Sequence, residues 1–204
     1  ANALPTLRAT LIGFAVSLVI GFCLSVVLDS STAVRRSVLP LLVVSQTLPL
    51  IAIAPLMILW FGFELLPKVL IVVLVTFFPI TVSLVEGYAA ADPTAEALLR
   101  SMGAGRWRIF RSLRLPGALP YFFSGLRIAI TYAVVAAIFA EYAGASEGLG
   151  LYMQLAKNSF RTDLVLAAVG VSALLTLLLF ALTYLIEYLT IPWWRLSRRS
   201  EVES

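Results

Sequence analysis

DPTAEALLRSMGAGRWRIFRSLRLP, residues Asp92 to Pro116, is a charged island in an otherwise apolar chain. Apolar runs long enough to cross a bilayer, about 20 residues, lie on both sides of it. A polar segment between two such runs must lie in water at one membrane face. Short cytoplasmic loops collect Lys and Arg, so the sequence predicts a cytoplasmic loop. Its five arginines are Arg100, Arg106, Arg108, Arg111 and Arg114.

The loop itself is predicted to contain a helix, a turn and a second short helix. Asp92 can cap the first helix, and proline at position 93 suits its first turn. Gly103 and Gly105 are expected to end it. An amphipathic helix at a membrane face can lie among the headgroups or dock in a groove of a partner. Its apolar face would comprise Ala95, Leu98, Leu99 and Met102, and the second helix would repeat the pattern with Trp107, Phe110 and Leu113.

The composition is that of an integral membrane protein. Hydrophobic residues make up 61% of the chain and charged residues 13%, with a mean hydropathy of +0.99, whereas soluble domains carry about 25% charged residues. The net charge of +4 does not indicate nucleic acid, because the arginines border apolar runs, where they orient the chain and contact anionic lipid. Cys23 has no partner for an internal disulfide, and the absence of histidine excludes Ser-His and Cys-His pairs.

We predict an all-α polytopic protein with one transmembrane domain over residues 1–204. Five spans are expected, and the chain starts with Ala1, so we expect a sixth, leading span to be missing. With the 92–116 loop in the cytoplasm, ten cationic residues lie inside, the C-terminal arginines among them, and four lie outside. The outside set comprises Arg8, Lys68, Lys157 and Arg161. The predicted spans are Leu7–Leu28, Val38–Trp60, Lys68–Val85, Pro116–Tyr142 and Leu164–Leu189.

A spacing in the loop resembles a motif of the membrane subunits of ABC importers. Gly103 is followed by nine residues and then by Leu-Arg-Leu-Pro, residues 113–116. In that family a short helix precedes a Gly, nine residues and Ile-x-Leu-Pro. The Glu-Ala-Ala positions of the family hold Ala97, Leu98 and Leu99 here, and the nearest acid, Glu96, comes one residue early.

A second resemblance covers SQTLPLIAIAPLMILWFG, residues 45–62. It is similar to a segment of the nitrate, taurine and aliphatic-sulfonate branch of these permeases, and most like permeases for pyrimidine precursors of thiamine. Ser45, Gln46 and Pro49 are pathway candidates because polar residues and prolines inside spans need a structural or functional reason. The alternative is that Ser45 and Gln46 only join helices. Tyr132 is a further pathway candidate, with interface anchoring as its alternative.

Two charged residues near the fourth predicted span each have two alternative roles. Glu141 lies in AEYAGASEGLG, residues 140–150, which resembles a segment near the outer mouth of the same branch, so Glu141 is a gate candidate. Its alternative is a carboxylate in water at the interface. Arg127 either snorkels to the inner surface or faces the pathway.

The resemblance implies a transmembrane subunit of a type I, binding-protein-dependent importer in a bacterial inner membrane. It would assemble with a second permease subunit, expected to be identical, two separate ATPase subunits and an extracytoplasmic binding protein. No GxxxxGK[ST] run is present, so Mg-ATP is expected on the partner and no cofactor, metal or catalytic residue on this chain. The implied ATPase contacts are Ala95, Glu96, Leu98, Leu99, Met102, Gly103 and Arg106.

The substrate and two other protein classes stay open. The resemblance implies first a thiamine-precursor pyrimidine, with a sulfonate, a nitrate-type anion or riboflavin as alternatives. An ion-gradient-driven transporter would rely on acids such as Glu86 and Glu141. An intramembrane enzyme is disfavoured because the chain lacks histidine and paired acids within a span.

Overall fold

The computed structural model describes residues 2–191, and within them it is built of helices alone. Nine α-helices and a π-helical turn at Phe110–Arg114 follow one another along this part of the chain. The predicted cytoplasmic C-terminal arginines lie outside the described residues. The helices are α1 (Ala3–Ser30), α2 (Thr32–Thr47), α3 (Leu50–Phe61), α4 (Leu65–Ala89), α5 (Pro93–Ser101), α6 (Arg106–Ile109), α7 (Leu115–Gly144), α8 (Leu149–Asn158) and α9 (Thr162–Thr190).

Four helical stretches are long and apolar enough to cross a membrane. They are α1, α4, α9 and the continuous run Arg106–Gly144 of 39 residues. Helices α2 and α3 meet this criterion only together, and they are bent by 91° at the break between them. The prediction of an all-α polytopic membrane protein with about five spans is therefore confirmed.

The second predicted span, Val38–Trp60, is a broken span made of two helices, α2 and α3. The chain breaks at Leu48, which has φ −68° and ψ 125°, directly before Pro49. A proline lacks the backbone N–H and pushes the residue before it out of the helical region. Pro40 and Pro55 lie inside α2 and α3 without ending either helix. Of the three prolines in this region, only Pro49 therefore redirects the chain.

The fourth predicted span, Pro116–Tyr142, begins too late. The predicted second short helix of the loop is the start of one long helix, because α6, the π-turn and α7 run on without a break. The Leu115 N–H reaches back to the Phe110 carbonyl, five residues earlier. Such a widened turn lets the ring of Pro116 enter the helix without a clash. A displacement of the loop near Arg106 is therefore carried into α7 by an unbroken helix.

The centre of the molecule is the packing of α4 between α7 and α1. Small residues allow the close approach: a Cβ on Gly87 would lie 2.7 Å from the Ala118 Cβ, and one on Gly13 would lie 2.6 Å from the Val72 Cβ. Hydroxyls link α1 to α4, with Ser17 Oγ 2.5 Å from Thr76 Oγ1. Small residues and hydroxyl bonds are what hold helices together in lipid, where apolar burial drives association weakly.

Arg127 is bound by two neighbouring side chains. Its Nη1 forms an ion pair with Glu187 Oε2 of α9, and its Nη2 donates to Ser124 Oγ at 3.1 Å. A charge within a span is expensive unless it is paired, and Glu187 supplies the pair. Arg127 therefore joins α9 to α7 and is not a free cation of the pathway.

Candidate coupling and pathway sites

The loop helix α5 is built locally as its sequence predicts. Asp92 Oδ1 accepts a hydrogen bond from the Thr94 N–H at 2.8 Å, and Pro93 is the first residue of the helix. Gly103 has φ +79°, a backbone conformation that favours glycine, and the Ala104 N–H closes the end by donating to the Leu99 carbonyl at 2.9 Å. The predicted cap and the predicted end are both confirmed.

The loop presents a patch of large apolar side chains, which we call the docking patch. It consists of Leu98, Met102 and Trp107, which are 61%, 74% and 69% exposed. Ala95 and Leu99 belong to the same predicted face but are partly buried. Contiguous exposed apolar surface at the water-facing end of a protein marks an interaction site. Gly103 and Arg106, two further predicted contacts, are exposed beside it.

Glu96 points inward and takes part in a four-residue cluster, the inner clamp, of Asp29, Glu96, Arg100 and Arg114. The Arg114 Nη1 donates to both carboxylate oxygens of Asp29, at 3.0 and 3.1 Å. Its Nη2 and Nε donate to the Glu96 carboxylate at 3.0 to 3.3 Å. One arginine thus ties α5 to the end of α1 and to the start of α7.

The inner clamp is shielded enough to matter energetically. The side chains of Arg114, Asp29 and Glu96 are only 28%, 20% and 16% exposed. Hydrogen bonds from Arg114 first, and from Arg100 second, lower the pKa of Glu96. Arg100 is 64% exposed, and an exposed pair is worth about 0–1 kcal/mol at most. Arg114 therefore contributes most of the attachment.

Asp29 is the functional candidate that sequence reasoning missed. It lies 85 positions from its partner Arg114, so no local pattern connects the two. One signal was present: the acid of the family motif is shifted by one residue to Glu96. A shift of one position turns a helical side chain by about 100°, here away from the docking patch and toward Arg114.

Three of the five pathway candidates line one cavity of about 690 Å³ between α2, α3, α4 and α7. Ser45 and Gln46 approach it from the end of α2, and Tyr132, which is 54% exposed, approaches it from α7. Pro49 is not a lining residue but makes the bend between two that are, Leu48 and Leu50. The bend of the α2–α3 pair therefore creates this space.

Glu141 lies apart from that cavity, at the end of the molecule opposite the loop. Its side chain is fully buried, so the interpretation as a carboxylate in water is wrong. Oε2 accepts from Thr6 Oγ1 and from the Gly150 N–H, both at 2.9 Å. Among the described residues nothing hydrogen-bonds Oε1. Glu141 thus joins the start of α1 and the start of α8 to α7.

Glycines make room for this carboxylate. A Cβ on Gly148 would lie 2.2 to 2.4 Å from its carboxyl atoms, and one on Gly150 would lie 2.3 Å from the Ile138 carbonyl oxygen. Nearby, Lys68 is 6% exposed and its Nζ donates to the Glu147 carbonyl at 3.2 Å. The turn from Gly144 to Leu149 is therefore held by Lys68 on one side and by Glu141 on the other.

Comparison with known proteins agrees with this architecture. A family described as "Binding-protein-dependent transport system inner membrane component" matches residues 11–192. The formylaminopyrimidine transport permease protein of Halalkalibacterium halodurans is 42% identical over 188 residues, which are 92% of this chain and 75% of that protein. The riboflavin transport system permease of Chloroflexus aurantiacus is 36% identical over 78% of this chain and 59% of its own length.

Solved structures share the fold at low sequence identity. An inward-facing methionine ABC transporter, MetNI, aligns with a TM-score of 0.79 and 18% identity over 90% of this chain and 92% of the other. An amino acid ABC transporter aligns with a TM-score of 0.74 and 18% identity over 92% and 91%. At this identity the likeness concerns the fold alone.

The chain is a multi-pass inner-membrane permease of the ABC importer class. It belongs to the family of binding-protein-dependent transport system inner membrane components, whose model matches residues 11–192, almost the whole of this chain. The resemblance inferred from the loop spacing and from residues 45–62 is thereby confirmed.

Proposed function

We propose that two copies of this chain line one substrate pathway and that each copy docks a separate ATPase subunit through its cytoplasmic loop. The observation that carries the proposal is the docking patch, a large apolar surface at a water-facing end, held to the membrane helices by the inner clamp. Mg-ATP binds the ATPase, and this chain performs no covalent chemistry. The proposed contacts are Ala95, Glu96, Leu98, Leu99, Met102, Gly103 and Arg106.

Movement of the docked loop would reach the membrane by two routes. The first is the continuous helix from Arg106 to Gly144. The second is Arg114, which binds Glu96 of α5 and Asp29 of α1 at once. Closure of the ATPases would therefore move α1 and α7 together with α5. Glu96, though a proposed contact, would act chiefly by orienting the patch.

At the outer end an extracytoplasmic binding protein would deliver the solute. An acidic patch on the binding protein is proposed to contact two exposed cations of this chain, Lys157 and Arg161. Arg161 is already paired with Asp163 at 2.7 Å. Lys157 Nζ lies 6.0 Å from the centre of the Tyr142 ring. With the loop in the cytoplasm, the excess of cations falls inside, as membrane orientation favours.

The solute is proposed to be a thiamine-precursor pyrimidine. Support comes from the relative at 42% identity, whose name states formylaminopyrimidine transport. Relatives named for riboflavin and taurine transport, at 36% and 32% identity, keep those solutes as alternatives. A gradient-driven transporter is a different class, and dependence of uptake on ATP separates it from an importer.

Leu98→Asp together with Met102→Asp is expected to release the ATPase. Each change places a charge in the apolar centre of the proposed contact, and an unpaired charge is expensive to bury. We expect the ATPase to co-purify with the unmodified chain from gently solubilised membranes. The amount of ATPase that co-purifies with the double variant should be at least tenfold lower. Mg-ATP hydrolysis in the same sample should fall with it.

The matched control for this experiment is Leu155→Asp. Leu155 is 56% exposed on α8, at the opposite end of the molecule, so the same chemical change there should leave the ATPase bound. Retention of the ATPase by the double loop variant would contradict the docking proposal. A chain that purifies alone yet still supports uptake would favour the gradient-driven class.

Glu141 is proposed to shape the outer gate by holding α8 against α1 and α7. Glu141→Gln keeps the size of the side chain and one oxygen that can accept from Thr6 and Gly150. Its amide nitrogen then takes the position of Oε1, which has no partner among the described residues, so N–H donors are buried unsatisfied. We expect uptake to fall several-fold, with ATP hydrolysis no longer stimulated normally by the binding protein. Unchanged uptake and unchanged ATPase coupling would refute this role.

A further inference from the structure

The cavity between α2, α3, α4 and α7 has an unusual balance of charge. Among the described residues that line it, Glu86 is the one charged side chain, and neither lysine nor arginine contributes. Glu86 is exposed, and no ion pair in the described part of the chain uses its carboxylate. Arg127, the intramembrane cation considered for the pathway, is bound by Glu187.

Gln46 adds a hydrogen-bond acceptor to the same wall. Its side-chain nitrogen donates to the Leu74 carbonyl at 3.1 Å. A carbonyl only accepts, so this contact defines which end of the amide is nitrogen. No hydrogen bond within residues 2–191 uses the Gln46 oxygen. The Ser45 hydroxyl hydrogen is committed to the Leu42 carbonyl at 2.6 Å. The Ser45 oxygen accepts from the Gln46 nitrogen at 3.5 Å and keeps one further lone pair as an acceptor.

Aromatic side chains supply flat surfaces in this space. Tyr132 is 54% exposed on α7, and Phe78 is half-buried on α4. Both line the cavity with Pro79 and several aliphatic residues. An apolar, aromatic lining with a few convergent polar groups is typical of sites for small organic molecules. Its volume of about 690 Å³ lies within the usual range of about 300–1,000 Å³ for such sites.

We propose that this cavity binds a neutral or singly cationic heteroaromatic solute carrying amino groups and excludes anions. The proposal rests on the proposed pathway function and adds the charge class of the solute. Amino groups would donate to Glu86, to the Gln46 oxygen and to Ser45, while the ring lies against Tyr132 or Phe78. A sulfonate would meet the Glu86 carboxylate without a compensating cation among the described lining residues, and like charges repel. A second copy across a two-fold axis would add a second Glu86 and sharpen the exclusion.

The test uses the full permease–ATPase complex in nanodiscs, without binding protein, so that binding to the permease itself is measured. Radiolabelled 4-aminopyrimidine is the probe and ethanesulfonate, an aliphatic sulfonate without an amino group, is the competitor. We expect the probe to bind and ethanesulfonate, at equal concentration, to displace none of it. Glu86→Gln and Gln46→Ala should each weaken binding about tenfold, the effect of losing one hydrogen bond to a charged or well-placed acceptor. Glu86→Asp should retain most of the affinity.

The matched control is Glu64→Gln, which removes a carboxylate just before α4, far from the cavity, and should leave probe binding unchanged. Equal displacement by ethanesulfonate, or full affinity in Glu86→Gln, would overturn the charge proposal. If either result is found while uptake still depends on ATP, the importer function is unaffected. Failure of the unmodified permease to associate with an ATPase would instead refute that function.

Discussion

Arg114→Ala is expected to uncouple the permease: uptake should fall at least tenfold while the ATPase stays bound and hydrolyses ATP. The variant removes the one side chain that holds Glu96 and Asp29 together. The docking patch keeps its side chains, so the ATPase still has its contact. The movement of α5 then reaches α1 only indirectly, and two carboxylates 16% and 20% exposed are left to repel each other.

The size of this effect follows from the partial burial of the clamp. Exposed ion pairs contribute about 0–1 kcal/mol, and breaking a buried pair costs about 3–5 kcal/mol. Arg114, with 28% of its side chain exposed, belongs between these limits. Arg114→Lys should restore coupling only in part, because a lysine is a point charge and cannot bind two carboxylates with a planar fork.

The measurement is the ratio of solute taken up to ATP hydrolysed in proteoliposomes containing the complete importer. Arg111→Ala is the matched control, since Arg111 is an exposed arginine of the same π-turn and takes no part in the inner clamp. A ratio unchanged in Arg114→Ala would disprove the role of the clamp. Loss of bound ATPase in that variant would mean that Arg114 supports docking and not transmission.

Gly150→Val is expected to destabilise the outer end of the molecule more than any surface change. A Cβ there would lie 2.3 Å from the Ile138 carbonyl oxygen and 2.7 Å from the Glu141 Cβ. Backbone atoms cannot move aside as the tip of a side chain can, so the start of α8 must separate from α7. Separation also removes the hydrogen bond from the Gly150 N–H to the buried Glu141 carboxylate.

Overpacking costs about 1–3 kcal/mol, and a lost hydrogen bond to a charged group costs about 1.5–3 kcal/mol. At about 2–4 °C per kcal/mol for a chain of this size, the melting midpoint should fall by about 10 °C. Fluorescence-detected size-exclusion chromatography after heating measures it. Gly170→Val on α9 is the control, because a Cβ there meets nothing within 4 Å. Equal midpoints for the two variants would refute the packing argument.

The membrane class, the loop helix and the docking face could be read from sequence because their causes are local. Asp92, proline 93 and Gly103 act on backbone groups within a few residues of themselves, and these contacts are present. The break at Pro49 was visible as a candidate, but so were Pro40 and Pro55, which lie inside helices. Local sequence could not rank the three, since the choice depends on what packs around each.

The long-range contacts were beyond sequence reasoning for a physical reason. Arg114 could pair with any acid at the same membrane face, and only the packing of α1 against α4 and α7 brings Asp29 to it. The same packing buries Glu141 and gives Arg127 the partner Glu187. The local patterns of this chain thus determined which segments are helical and which face water, because those follow from nearest neighbours. The tertiary structure alone decided which charges meet, since that depends on how distant helices approach one another.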